Sequence, residues 1–313
     1  MIPMSRRIAV ALLILAIPSV FGAAKCPLER PVSPGDTLAG LADFYFGDTG
    51  YWSAILLATN SRTPQGFPFL ANVNDIGKAA KVCVPDLPEA QQLRSQYEHY
   101  LRAVHETALP EPWQVVGKLV EFPPDRELHV VGWNRDDQLQ TFRGTGGSFV
   151  TTAPAELWVT VEPHLRDFCA EFSQSHGTNP DQLTLRLEQR LGLAPASNKV
   201  GFIRIRLAHP SADVIFRPCM SPVTSGTNCP TGPPRDAGDN HRNWVYRQYY
   251  SSYGQSQTGL FPWTALGYTF DWAPGTPGKG EFERYGESEF VIPKGAPVEI
   301  TGTVSTAEYC RPN

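Results

Sequence analysis

The chain has 313 residues, enough for two domains of ordinary size, since single cores stop growing near ~250–300 residues. Lys and Arg number 27 against 31 Asp and Glu, a net charge of -4 with no basic block, which argues against a nucleic-acid partner. Hydrophobic residues at 41% exclude wholesale disorder, while 29 prolines and 27 glycines favour turn-rich, β-leaning structure.

The first 24 residues have the three-part build of an export signal: Arg6 and Arg7, an apolar run from Ile8 to Val20, and small residues Gly22-Ala23-Ala24 for cleavage. The apolar run is shorter than the ~20 residues a membrane span needs, so no membrane span is expected once the signal is removed. Lys25 argues against lipidation of Cys26, because acylated cysteines follow a small residue.

A short β run at Leu28 to Val32 leads into Ser33-Pro34-Gly35-Asp36-Thr37-Leu38. A Pro-Gly turn followed by Asp-Thr predicts a capped helix start near Thr37. Leu38, Leu41, Ala42 and Tyr45 recur at helical spacing, Gly47-Asp48-Thr49-Gly50 interrupts them, and Trp52, Ile55, Leu56 and Ala58 mark a second helix ending at Asn60. A second β run, Lys81-Val82-Cys83-Val84, closes at Pro85. The predicted order is strand, helix, helix, strand.

These residues resemble the LysM domain, a small βααβ module that binds N-acetylglucosamine-containing peptidoglycan or chitin. The resemblance covers residues 28–86 and rests on Gly35-Asp36-Thr37-Leu38, Tyr51-Trp52, Asn60 and Lys81-Val82-Cys83-Val84-Pro85. It implies a shallow glycan groove with Gly35, Asp36, Thr37, Leu38, Asn60 and Ile76 as candidate contacts, and peptidoglycan or a related glycan as partner. Two departures stand out: Ala79-Ala80 replaces the usual Gly-Gln, and the 61–75 loop is longer than usual, so that it either deepens or obstructs the groove. Capping alone also accounts for Asp36 and Thr37.

Six cysteines in an exported chain fit three disulfides. Cys26 and Cys83 flank the module on strands that the resemblance places side by side, and are paired on that basis. Cys169, Cys219, Cys229 and Cys310 leave three connectivities open.

Residues 87–112 read as a helical connector with Leu93, Tyr97, Leu101, Val104 and Ala108 on one face, stopped by Pro110 and Pro112. A single apolar stripe needs a surface to cover it, so this helix is expected to pack against a neighbour. From Trp113 to the end, the pattern predicts a mostly β (α+β) domain of unknown role. Strands are expected at WQVVGKLVEF, ELHVVGW, QLQTF, ELWVTVE, VGFIRIRLAH, VIFRP, EFVIP and PVEITGTV, with helices near 163–173 and 181–191 and a loop over 220–243. Gly144-Thr145-Gly146-Gly147 lacks the ending of a phosphate loop and is read as a turn. The aromatic stretch Trp244 to Trp272 suits either sugar stacking or the pinning of long loops to a core, and the second is favoured.

No catalytic constellation emerges, and no metal or cofactor is implied. His99 and His105, and the remaining histidines, lack zinc-site spacing. Cys169 with His164 or His176 is a weak peptidase pair, a disulfide being the default for Cys169, and no Gly-x-Ser-x-Gly elbow occurs. Asp271, Glu281, Glu283, Glu287 and Glu289 supply carboxylates for a glycosidase only if two oppose each other across a cleft. The sequence therefore points to an exported, periplasmic or envelope-associated wall-binding protein without catalysis, with a wall-remodelling hydrolase as the alternative and no protein partner indicated.

Overall fold

The computed structural model describes residues 25–121, 126–143, 147–177, 179–220, 228–231, 238–254 and 260–312. The expected export signal lies outside them, as do most of Gly144-Thr145-Gly146-Gly147 and parts of the expected 220–243 loop. The architecture is mixed α+β with a large antiparallel sheet.

Strand β1 (Leu28–Pro31) precedes α1 (Leu38–Phe46) and α2 (Trp52–Asn60), and β2 (Lys81–Val84) returns antiparallel to β1 with Leu28 opposite Val84. Cys26 and Cys83 are joined at the open end of this ribbon. Helix α1 starts where predicted because the Thr37 hydroxyl accepts the Gly40 N–H at 2.9 Å, and it stops at Gly47, whose φ of 69° is one that glycine adopts without steric cost. Leu38, Leu41, Ile55, Leu56, Ile76 and Val82 form the small core between helices and ribbon.

Helix α3 (Leu87–Thr107) begins at Asp86, whose carboxylate accepts the Glu89 N–H at 2.9 Å. Its buried stripe includes Ala90, Leu93, Tyr97, Tyr100 and Val104, broader than the sequence suggests because the helix is covered on two sides. One side meets Ala54, Leu57 and Ala58 of α2; the other meets Phe270, Trp272 and Phe282. The Tyr100 ring lies edge-on to Trp272 at 5.5 Å, and its hydroxyl donates to the Leu260 carbonyl at 2.6 Å. Full burial of each such side chain contributes roughly 1.5–3 kcal/mol, so this shared cluster ties the two parts of the chain together.

The large sheet has the order β4 (Phe149–Thr152), β9 (Pro297–Ser305), β6 (Gly201–Leu207), β3 (Leu128–Asn134), β5 (Leu157–Val161), β8 (Phe282–Ile292) and β7 (Tyr268–Pro274). Two short links force it to roll. β4 reaches β5, and β8 reaches β9, each through four residues, 153–156 and 293–296, although four strand spacings separate the partners in the order. A flat sheet would set them roughly 19 Å apart, more than the ~18 Å that such a link spans fully extended. The concave face is accordingly filled from both ends, with Val298 and Ile300 beside Val159, Phe290 and Ile292.

The convex face carries helices. α5 (His164–His176) and α6 (Pro180–Arg190) bury Leu165, Cys169, Leu183 and Leu187 against Val131, Trp133 and Phe202, and Cys169 is bonded to Cys310. Helix α7 (Asp239–Tyr253) buries Trp244 and Val245 against Trp263 and Val291. Cys219 pairs with Cys229, which leaves no free cysteine. No helix among the described residues is long and apolar enough to cross a membrane.

Several expected strands take other forms. QLQTF lies in helix α4 (Asp136–Thr141), because Leu139 and Phe142 at a spacing of three pack into the concave core. Around Trp113 there is a 3₁₀ turn, Pro112–Gln114, and no strand over 115–121. VIFRP contributes one bridge, Phe216 to Val291. Residues 239–243, expected as the end of the loop over 220–243, are helical in α7, which runs on into the aromatic stretch.

Trp272→Ala removes the largest side chain of the shared cluster. It is expected to cost about 3–5 kcal/mol in urea unfolding, with α3 and the sheet lost in one transition.

Candidate functional site

Two surfaces qualify as functional: the rim of the β1–α1 turn and an interior cavity. At the rim, Gly35 has a φ of 91°, which allows the turn to fold back so that Asp36 accepts the Ser33 N–H at 2.7 Å and lies 3.5 Å from Arg30. Gly35 and Thr37 are exposed and Asp36 is half-buried. The side chains of Leu38 and Ile76, 2 and 4% exposed, are turned into the small core between helices and ribbon. Asn60 serves elsewhere: its amide donates to the Leu70 carbonyl at 3.0 Å and accepts the Leu70 N–H at 2.8 Å, clamping the insertion that follows α2. That insertion leans towards the sheet. Phe67 enters the shared cluster, and Arg135 sits 5.3 Å above the Phe69 ring, while Ser33, Pro34 and Gly35 keep their exposure.

The carboxylates considered for hydrolysis are mostly engaged. Asp271, fully buried, accepts two bonds from Arg186 at 2.9 and 2.7 Å, and Glu287 accepts one from Arg190 at 2.7 Å. Phe168 covers both guanidinium groups. Glu281 pairs with Arg102, and Glu283 accepts the Thr276 hydroxyl at 2.9 Å. Buried pairs of this type hold geometry, because losing one partner strands an uncompensated charge. The disulfide withdraws Cys169 from nucleophilic chemistry. Aromatic burial divides the stretch from 244 to 272: Trp244, Trp263, Tyr268, Phe270 and Trp272 are core, whereas Tyr246 and Tyr250, at 62 and 68% exposure, stand one turn apart on α7.

Glu289 differs from the other acids. It lies on the wall of a 530 Å³ cavity between α2, the insertion, the 191–199 segment, α7 and the sheet. Its carboxyl has no hydrogen bond or ion pair among the described residues, and burial pushes it up to about 8. Trp158 and Trp263 line the same space; Trp263 is 6% exposed, and its indole N–H has no acceptor among the described residues. Lys199 lines the cavity too. Burial and the nearby Arg135 lower its ammonium to about 8, against the opposing pull of Glu188 and Asp137. The 191–199 wall is fixed by Glu188, whose carboxylate accepts the Ser197 N–H and hydroxyl at 2.7 and 2.9 Å and the Ala196 N–H at 3.2 Å. Burial pushes Glu188 up to about 7, opposed by those same bonds.

Sequence reasoning named Glu289 among five acids but passed over Lys199 and Trp158. The alternation Glu287, Glu289, Val291 against Phe290 and Ile292 carried the available signal, yet acids on the face opposite a core ordinarily face water. Comparison of the chain with protein-family models, with curated proteins and with solved structures found no match.

Between about pH 5 and 8, folded Glu289 keeps a proton that the unfolded chain, with a carboxyl near 4.5, releases; its contribution to stability therefore falls as pH rises. Glu289→Gln is expected to gain stability over the parent across that window, by at most about 1.4 kcal/mol per pH unit, in chemical denaturation at matched pH.

Proposed function

We propose that this is an exported, envelope-associated protein that binds peptidoglycan or a related N-acetylglucosamine glycan through the βααβ unit of residues 28–86, which we read as LysM-like. The observation that carries this reading is the open rim. The β1–β2 ribbon is paired, the two helices pack on it, and the insertion most able to block the Gly35–Thr37 turn divides its side chains between the small core, at Leu70, and the shared cluster, at Phe67, with Ser33, Pro34 and Gly35 exposed. Binding at such a rim is shallow and polar, drawing on backbone groups of the turn and the short side chains of Asp36 and Thr37, with Leu38 and Ile76 buried in the small core and acting through the shape they give it.

Export agrees with six cysteines paired as three disulfides, since such bonds persist in oxidising compartments. A carboxylate hydrolase is the weaker reading, because a glycosidase needs two opposed carboxyl groups and Glu289 is the one acid among the described cavity-lining residues.

The test is co-sedimentation of the mature protein with purified sacculi. Asp36→Ala with Thr37→Ala is expected to weaken sedimentation at least roughly tenfold, about 1.4 kcal/mol. Loss of the Thr37 cap costs about 1 kcal/mol of stability, so folding of the variant is checked in parallel by circular dichroism. A folded double variant that sediments like the parent contradicts the rim assignment.

A further inference from the structure

The cavity behind the rim has features of a ligand site that glycan binding does not use. At 530 Å³ it falls within the range of small-molecule pockets, ~300–1,000 Å³. Its walls are largely apolar, contributed by Leu56, Leu57, Phe261 and Phe270 beside the two tryptophans. Three charged side chains interrupt them, Glu289, Lys199 and Arg135, the last paired with Asp137. Glu289 makes no ion pair among the described residues, and the nearest acid along its strand face, Glu287, is bound to Arg190. Lys199 makes no hydrogen bond or ion pair among the described residues, and feels Arg135, Asp137 and Glu188 only at longer range. A half-buried carboxyl and a half-buried amine without partners are costly to desolvate, and Trp263 adds a buried indole donor with no acceptor among the described residues. Other carboxylates here, such as Asp271 and Glu188, are fully bonded, which sets this cavity apart.

We propose that the cavity binds a short peptide carrying a free ammonium and a free carboxylate, with the ammonium against Glu289 between Trp158 and Trp263 and the carboxylate against Lys199. Charge complementarity carries the assignment: a ligand with both ends supplies the partner each group lacks, and aromatic faces beside Glu289 attract a cation further. Spacing agrees. Glu289 lies opposite Thr160, which lies opposite Val131 and hence Arg204, three strands across from Lys199's own segment and five residues beyond it. That places the two Cα atoms roughly 20 Å apart. Their side chains shorten the gap towards the ~10 Å length of an extended tripeptide.

The test uses the full mature chain and the tripeptide Ala-Leu-Ala, alone, N-acetylated and C-amidated, in isothermal titration near neutral pH. The uncapped tripeptide is expected to saturate the protein, and each cap to weaken binding at least roughly tenfold. Proton release on binding, read as buffer-dependent heat, is expected because an ammonium draws Glu289 into its charged form. Glu289→Gln should erase the penalty of N-acetylation, and Lys199→Met that of amidation, while sedimentation with sacculi stays unchanged in both. Absence of saturation by the uncapped tripeptide at millimolar concentration overturns the proposal, as do equal affinities of capped and uncapped forms. Saturation of the same cavity by tri-N-acetylchitotriose in place of the tripeptide, removed by Glu289→Gln, also overturns it.

Discussion

The packing of α3 between α2 and the β7–β8 edge is the constraint on which the rest depends. Tyr97 and Tyr100 stand one turn apart on the same buried stripe, their rings 6.1 Å apart; Tyr97 meets Trp52 of α2 and Tyr100 meets Trp272, so that the same element completes the βααβ unit and covers Phe270 and Trp272. Polar contacts fix its rotation. His99 shares a bond with the Trp272 carbonyl at 2.9 Å, Tyr253 donates to the Thr107 carbonyl at 2.9 Å near the helix end, and Arg94 and Arg102 pair with Asp48 and Glu281 on opposite flanks. The exposed pairs contribute little individually, so the apolar cluster supplies the stability and the polar groups select one orientation.

From that packing follow both functional surfaces. Asn60 clamps the insertion at Leu70, which packs into the βααβ core, while Phe67 enters the shared cluster and Phe69 lies under Arg135, and the Gly35–Thr37 rim stays exposed at Gly35 and Thr37. The approach of α2 and its insertion to the sheet encloses the space between Leu56, Leu70, Trp158 and Glu289. The rolled sheet contributes from its other side. Since its concave face is filled by apolar side chains, Phe290 among them, Trp158 and Thr160 of β5 and Glu287 and Glu289 of β8 alternate to the convex face, where the cavity forms.

Local signals made the βααβ unit readable. The Pro-Gly turn, the Thr37 cap and the apolar spacing of α1 and α2 act within a few residues, and α3, α5 and α6 followed their periodicity for the same reason. Segments governed by distant partners were not readable. Leu139 and Phe142 look like alternating strand residues until the concave core calls for a helix over them, and VIFRP has strand composition but only Val291 to pair with. The convex face misled most. Glu289 reads as a solvent-facing acid and Lys199 gives no signal, and the approach of α2 and the 191–199 segment half-buries them on one cavity wall.

Native-state hydrogen exchange across α2, α3 and β7 tests the shared packing most directly. The account predicts that amides of Leu57, Tyr100 and Phe270 exchange through the same global opening, with equal free energies and equal response to denaturant. Exchange of α2 and the β1–β2 ribbon through a separate, lower-energy opening, with β7 still protected, would contradict it.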